Sequence, residues 1–269
     1  MDDDELLLLT ETFRKAMTGS SGPALDAALV QLGWTEMLAE IPEIAVPIVF
    51  RLLGETGAHA SVINDVVGAY IPLPFAGGSW VVWHRKSEAS GATLDPELPL
   101  EVVGSCSGTP LPTATLAAAQ RAIGWWLIGT SRTMLSLARE HALSRTQFGK
   151  PVAGFQAIRH KLAETYVAIE GAEATLRMAE TQRSGDRPSN ADELGSILAK
   201  AAAGQAALTA AKHCQQILGG IGFTEEHDLQ RHIKRAHVLD GLFGSARELT
   251  REAGAIIRQQ GSAPRLVDL

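Results

Sequence analysis

From residue 111 onward, apolar residues recur at steps of three, four and seven. Leu116, Ile123, Leu127, Thr130, Met134 and Leu137 form one such stripe, Ile158, Leu162, Tyr166, Ile169 and Leu176 a second, and Leu194, Leu198, Ala201, Gln205 and Leu208 a third. Each stripe gives a helix a single apolar face, which has to be buried against another element. The segment SGDRPSN (184–190) reads as a loop, with Asn190 and Glu193 a capping pair for the third helix. A last helix is expected to open at Ser245, with Glu248 three residues on, and to run to Gly261. Four helices with short connections predict an antiparallel bundle over 111–269.

Two other textures precede the bundle. Residues 1–68 read as an N-terminal helical domain, with Leu25, Leu29 and Leu32, then Ile48 and Leu52, at helical steps. SSGPA (20–24), Pro42 and Pro47 are expected to break it, and ASVINDVVGAY (60–70) closes it. Asp2 to Asp4 favour the positive end of a first helix. Across 69–110, Pro, Gly and Ser become frequent and short β-branched bursts appear in WVVW (80–83) and LPLEVVGS (98–105). That stretch is too short for an independent barrel or sandwich and predicts a small sheet leaning on the helices. The fold class is therefore mainly α, with a reduced middle β segment.

Composition removes several function classes. With 24 Lys and Arg against 30 Asp and Glu, the net charge is −6, so no basic face for nucleic acid or anionic membrane is implied. Cys106 and Cys214 are far apart and outside any CxxC or Cys/His ligand spacing, which argues against a disulfide framework or a metal site. The N-terminus starts with acidic residues and a short apolar run, unlike a signal peptide or membrane span, so a cytoplasmic location is expected.

Two segments carry chemistry: ALSRTQFGKPVAGFQAIRHKLAE (142–164) and QQILGGIGFTEEHDLQRHIKRA (215–236). In the first, Gly149 permits a sharp bend and Pro151 fixes the exit. Arg145 presents a forked cation suited to a pyrophosphate. Gln156 and Gln216 each donate and accept, as an adenine edge or a ribose hydroxyl requires. Gly219 and Gly220 remove side chains where a backbone must approach a flat or charged ligand. Blander roles compete: Arg145 can serve helix carbonyls, and Gly219–Gly220 can be a helix stop. Phe148, Phe223, Trp125 and Trp126 read as packing residues, Glu226–His227 as helix-start or interface groups, and His213 and His237 as solvent-facing or core-satisfied.

Both segments, in this order and separation, resemble the acyl-CoA dehydrogenase family. The resemblance is strong over the C-terminal half and weak over the N-terminal helices, where LGWTEMLAE (32–40) and FRLLGETGA (50–58) are similar to family helices without their intervening loops. It implies an FAD cofactor shared across a subunit interface, its adenosine and diphosphate half held by Arg145, Gln147, Phe148, Gln156, Gln216, Gly219 and Gly220. The family reaction takes the α-proton of an acyl-CoA thioester with a glutamate while a hydride leaves the β-carbon for the flavin.

That glutamate is missing. One family position corresponds to Phe243, the other to Ala119, and neither side chain accepts a proton. Asp240 is the nearest carboxylate in the first stretch. The family's flavin-facing threonine and tryptophan motif is not recognisable, Ser79–Trp80 being at most a remnant. Keeping contacts for a neighbour's cofactor while losing those for its own implies a non-catalytic subunit of a heteromeric acyl-CoA dehydrogenase. Such a chain would partner a full-length family subunit in an α2β2 assembly, as in steroid catabolism, and no residue of its own is assigned to catalysis. The competing readings are a self-sufficient homo-oligomer using a carboxylate such as Asp240, and a flavin-free scaffold with a relic bundle.

Overall fold

Asp2 starts the first helix: its side chain accepts the Glu5 backbone N–H at 2.8 Å while Glu5 accepts that of Asp2 at 3.0 Å, a reciprocal cap that satisfies two otherwise orphaned donors. The computed structural model describes residues 2–84, 95–104, 108–183 and 189–261. Helix α1 (Asp3–Gly19) is followed by α2 (Pro23–Gln31), α3 (Trp34–Glu40), α4 (Pro42–Thr56) and α5 (Val62–Val67). Pro42 opens α4, as a residue without an N–H should. Pro47 does not break the helix but sits inside it. A proline there removes one backbone bond, and the buried face of Val46, Val49, Phe50 and Leu53 outweighs that loss.

Three short strands follow, β1 (Leu73–Phe75), β2 (Ser79–Trp83) and β3 (Leu100–Val103), antiparallel in that order, with Leu73 opposite Val81 and Val82 opposite Glu101. The inner face of the sheet, Leu73, Val81, Trp83 and Leu100, is buried on the helices. Trp83 meets Trp126 at 5.5 Å between ring centroids, and Trp126 in turn meets Phe50 edge-on at 5.9 Å. Cys106 lies outside the described residues.

The rest is helical: α6 (Thr113–Ser144), α7 (Gln156–Arg183), α8 (Ser189–Leu218), α9 (Leu229–Gly241) and α10 (Ala246–Gln260). α10 opens on the Ser245–Glu248 capping box and stops at Gly261, φ 70°, as its sequence predicts. α8 starts at Ser189, which places Asn190 inside the first turn rather than at the cap. α9 is additional to the four expected helices.

The apolar stripes need correction at two positions. Tyr166 is half exposed and Gln205 exposed. α8 packs against α6, α7, α9 and α10, so its buried surface is Ala199, Ala203, Ala206, Ala207, Ala210 and Cys214 on several sides. A helix surrounded by neighbours needs small residues all round, which a search for one leucine stripe overlooks. Cys214 is buried, and burial pushes its thiol up to about 12; it is a small core residue.

α4 crosses α6 at glycines. A Cβ on Gly54 would stand 2.3 Å from the Trp126 carbonyl oxygen, and one on Gly129 2.0 Å from that of Arg51. One cluster of buried side chains runs from Phe13 through Trp83 to Phe243, and a smaller one joins Leu194 and Ile197 to Leu249 and Ala253. Among the described residues, no helix is long and apolar enough to cross a membrane and no group of His, Cys, Asp and Glu could hold a metal ion.

Candidate functional site

α6 ends at Ser144, and the Arg145 backbone N–H closes its last turn on the His141 carbonyl at 2.9 Å. The chain then reverses in a two-stranded hairpin, β4 (Thr146–Gln147) and β5 (Lys150–Pro151). Both loop residues have left-handed backbone, Phe148 at φ 54° and Gly149 at φ 78°, the turn whose twist suits paired strands. Gly149 was expected to permit the bend; the strained partner, Phe148, was not. Because the turn points outward, the Phe148 ring is 92% exposed and touches Phe155 edge-on at 6.2 Å. Lys150 Nζ lies 4.4 Å over the Phe155 ring. Gln156 opens α7, exposed, beside His160 at 3.4 Å.

The second segment ends α8. Gly219 follows Leu218 at φ 64°, so it does act as a helix stop. Gly220 has no such backbone constraint, and a Cβ on it would meet nothing within 4 Å. Nothing among the described residues requires glycine at 220. Gln216 is exposed, as are Ile221 and Phe223. Phe148 and Phe223 are therefore not packing residues of this chain, contrary to expectation. His227 Nδ1 accepts the Leu229 N–H at 3.1 Å, the helix-start role read for it. His213 is satisfied by Thr165 at 3.0 Å.

The two segments meet at one end of the bundle. His141 is held below the ordinary histidine range by burial first, then by the nearby charges of His227 and Arg145. The Arg145 guanidinium makes no hydrogen bond to another described residue, and it does not serve the helix carbonyls. No side-chain hydrogen bond joins Arg145, Gln147, Gln156 and Gln216 to one another among the described residues; Gln147 donates to its neighbour, the Thr146 carbonyl, at 2.9 Å. The surface thus offers an arginine fork with no described partner, the exposed amides of Gln147, Gln156 and Gln216, an open glycine and exposed rings.

The turn between α9 and α10 is built in the opposite manner. Phe243 is 2% exposed with φ 58°. Its N–H donates to the Pro74 carbonyl at 2.8 Å, and its own carbonyl accepts from Gln120 at 3.3 Å. Phe75 bridges Leu242, and a Cβ on Gly241 would stand 2.4 Å from the Phe75 ring. Gly77 N–H donates to Glu248 at 2.8 Å. Ala119 is fully buried.

Asp240 is engaged too. Its Oδ1 accepts the Ala246 N–H at 3.0 Å, and its backbone carbonyl accepts from the buried Lys200 ammonium at 2.8 Å, which also donates to Gly244 at 3.0 Å. Burial pushes the Lys200 amine down to about 8. Asp240 therefore holds the start of α10 and is 9% exposed.

Sequence reasoning passed over Arg235. It is 1% exposed, pairs with Asp95, which is equally buried, and donates to the Gly57 and Ala58 carbonyls at 3.2 Å each. The available signal was an arginine on the buried face set by Leu229, Ile233 and Ala236.

Residues 107–257 match the C-terminal domain of the acyl-CoA dehydrogenase family. With a helical body, a reduced sheet and that domain, the chain belongs to the acyl-CoA dehydrogenase family. It is 36% identical over 71% of its length to the acyl-CoA dehydrogenase IpdE2 of Mycobacterium tuberculosis, spanning 58% of that protein. It is 35% identical over 80% of its length to FadE34 of the same organism, spanning 31% of it. Among solved structures, the Tcur3481-Tcur3483 steroid enzyme variant superposes with a TM-score of 0.71 at 16% identity, covering 97% of this chain and 99% of that one. The ChsE4-ChsE5 complex from Mycobacterium tuberculosis superposes at 0.68 and 14% identity, covering 98% and 99%. At these identities the structures speak for the fold.

Proposed function

We propose that this chain is a non-catalytic subunit of an FAD-dependent acyl-CoA dehydrogenase. It lends the wall formed by Arg145, Gln147, Phe148, Gln156, Gln216, Gly219 and Gly220 to the adenosine diphosphate half of a cofactor whose flavin end is housed by a full-length family partner. An α2β2 assembly of two such pairs acts on a CoA thioester, with proton abstraction by the partner's base.

The carrying observation is the contrast between the two sites. The position that the family resemblance assigns to the base, Phe243, is buried and hydrogen-bonded beneath β1, while Arg145 stands exposed with an unengaged guanidinium. The donor set fits a diphosphate and an adenosine edge: a forked cation, amides that donate and accept, and a glycine whose missing side chain leaves room. Among the described residues no second wall faces it, which fits a cofactor closed in by another polypeptide. Bound FAD supplies hydride acceptance; this chain's residues bind and orient its anionic end. The similarity to a structure named as a complex of two proteins, ChsE4-ChsE5, supports heteromeric pairing.

The test is co-expression with a full-length family subunit and measurement of flavin per heterodimer by absorbance. The chain alone should carry little flavin and the pair a stoichiometric amount. Arg145→Ala in the pair should weaken FAD about ten- to a hundredfold, for a lost charge-assisted bond of about 1.5–3 kcal/mol. A chain that alone holds one flavin and desaturates a thioester would overturn this reading. Flavin content unchanged by Arg145→Ala would favour the scaffold instead.

A further inference from the structure

We infer that His141 and His227 join Arg145 in gripping the cofactor's diphosphate, an extension that rests on the role proposed above for the Arg145 surface. Three side chains from separate stretches of chain meet there. His141 lies in the last turn of α6, and the Arg145 backbone N–H bonds to its carbonyl at 2.9 Å. Residues four apart at a helix end are surface neighbours. His227 stands two residues before α9, which packs on α6, and it lies close enough for its charge to act on His141.

Each of the three has donors to spare. The Arg145 guanidinium makes no hydrogen bond to a described residue, and the same holds for the His141 ring, since Ser144 and Arg145 use only the His141 backbone carbonyl. His227 is more constrained. Its Nδ1 accepts the Leu229 N–H at 3.1 Å, so the neutral ring carries its proton on Nε2. That N–H has no acceptor among the described residues. The turn bearing His227 is tied to the glycine turn, because the Gln230 side chain donates to the Gly222 carbonyl. A Cβ on Gly222 would stand 2.9 Å from the Gln215 carbonyl oxygen, which fixes that turn against the end of α8.

The cluster lacks an anion of its own. Burial first, then the charges of His227 and Arg145, hold His141 below the ordinary histidine range, and no carboxylate of the described residues offsets them. Glu140, Glu226 and Asp228, the carboxylates next to the two histidines in the chain, are exposed. Glu225 is paired with Lys234 of α9 at 2.5 Å. A fork and two imidazoles crowded without a counter-charge repel one another, and a diphosphate supplies the missing charge.

The two imidazoles have different tasks. A second proton on His227 would go to Nδ1 and break the bond to Leu229, so His227 serves as a neutral donor through Nε2. His141 has no such tie and takes up the proton that an adjacent anion favours. Binding is thereby linked to protonation of His141, and the grip tightens as pH falls from 8 to 6.

Titration of FAD into the apo heteromeric complex at pH 8, 7 and 6 tests this, with proton uptake read by calorimetry in buffers of different ionisation enthalpy. The diphosphate of FAD is doubly esterified and does not titrate in this range. The unaltered complex should bind FAD about tenfold more tightly at pH 6 than at pH 8 and take up protons on binding. His141→Gln should flatten the pH dependence and remove most of the uptake. His227→Asn keeps an acceptor for the Leu229 N–H; it should weaken FAD about three- to tenfold at every pH and leave the slope intact. Both rings are only partly buried, so the variants should fold, which unchanged melting temperatures verify. Arg145→Ala judges the underlying reading separately. If it weakens FAD, the inference alone falls should binding to the unaltered complex ignore pH, His141→Gln keep the slope, or His227→Asn bind as tightly as before. If Arg145→Ala leaves FAD affinity unchanged, both fall.

Discussion

The Phe243 N–H donates to the Pro74 carbonyl at 2.8 Å, across a sequence separation that joins the reduced sheet to the turn between α9 and α10. With Phe75 over Gly241 and Gly77 on Glu248, strand β1 seals the place where the family resemblance puts a base.

Restoring the acidic residue should therefore fail. Phe243→Glu places a carboxyl at a buried position while removing a large ring, and should destabilise the chain by about 3–5 kcal/mol. No desaturation should appear in the chain alone. Calorimetry and an acyl-CoA assay check both, and turnover in this variant would show the seal to be permeable.

Asp240 gives a sharper separation of structure from chemistry. Asp240→Asn keeps an oxygen for the Ala246 N–H and should cost about 1 kcal/mol or less. Turnover of the heteromeric complex should be unchanged; a hundredfold loss at unaltered melting temperature would make Asp240 a base.

Gly220→Ala separates ligand approach from folding. Its Cβ meets nothing in this chain, so the melting temperature should hold while flavin retention of the complex falls. By contrast, Gly54→Ala and Gly129→Ala press a methyl onto a backbone carbonyl at the α4–α6 crossing. Backbone cannot rotate away as a side chain can, so each should cost about 3 kcal/mol or more. Equal effects at all three glycines would sink the distinction.

Removing one half of the buried Arg235–Asp95 pair should be severe. Arg235→Met removes the buried Asp95 carboxylate's cationic partner and the side-chain donor to the Gly57 and Ala58 carbonyls, at about 3–5 kcal/mol. Asp95→Asn, which keeps an acceptor for the guanidinium, should be milder. Urea denaturation of both variants ranks them.

His232 makes stability fall in acid. Burial first, then the charges of Arg235 and Arg231, lower it from 6.5 to about 4 in the folded chain. Below pH 6.5 the unfolded chain takes up a proton that the folded chain refuses, so stability is lost between pH 6.5 and about 4, up to roughly 3 kcal/mol. His59, lowered to about 4 chiefly by burial, acts in the same direction. Denaturation at pH 7, 6 and 5 should show the slope, and His232→Leu should reduce it; an unaltered slope would place its origin elsewhere.

Local signals were legible where they concern one helix end or one turn. Asp2 with Glu5, and Ser245 with Glu248 and Gly261, read correctly because a cap is completed within four residues. The Arg145–Pro151 segment likewise carried its own reversal in Gly149, and the paired motifs carried the family.

What needed the tertiary structure is whatever depends on the far side of a contact. The alanine faces of α8, the exposure of Tyr166, Gln205 and Phe148, the engagement of Asp240 and the covering of Phe243 are set by elements far away in the chain. The amino-acid sequence by itself determined the long helices α6, α7, α8 and α10 and the caps at Asp2 and Ser245, because propensity and hydrogen-bond completion are local. Only packing decided which sites are open or sealed, because burial is a property of all the chain's surfaces at once.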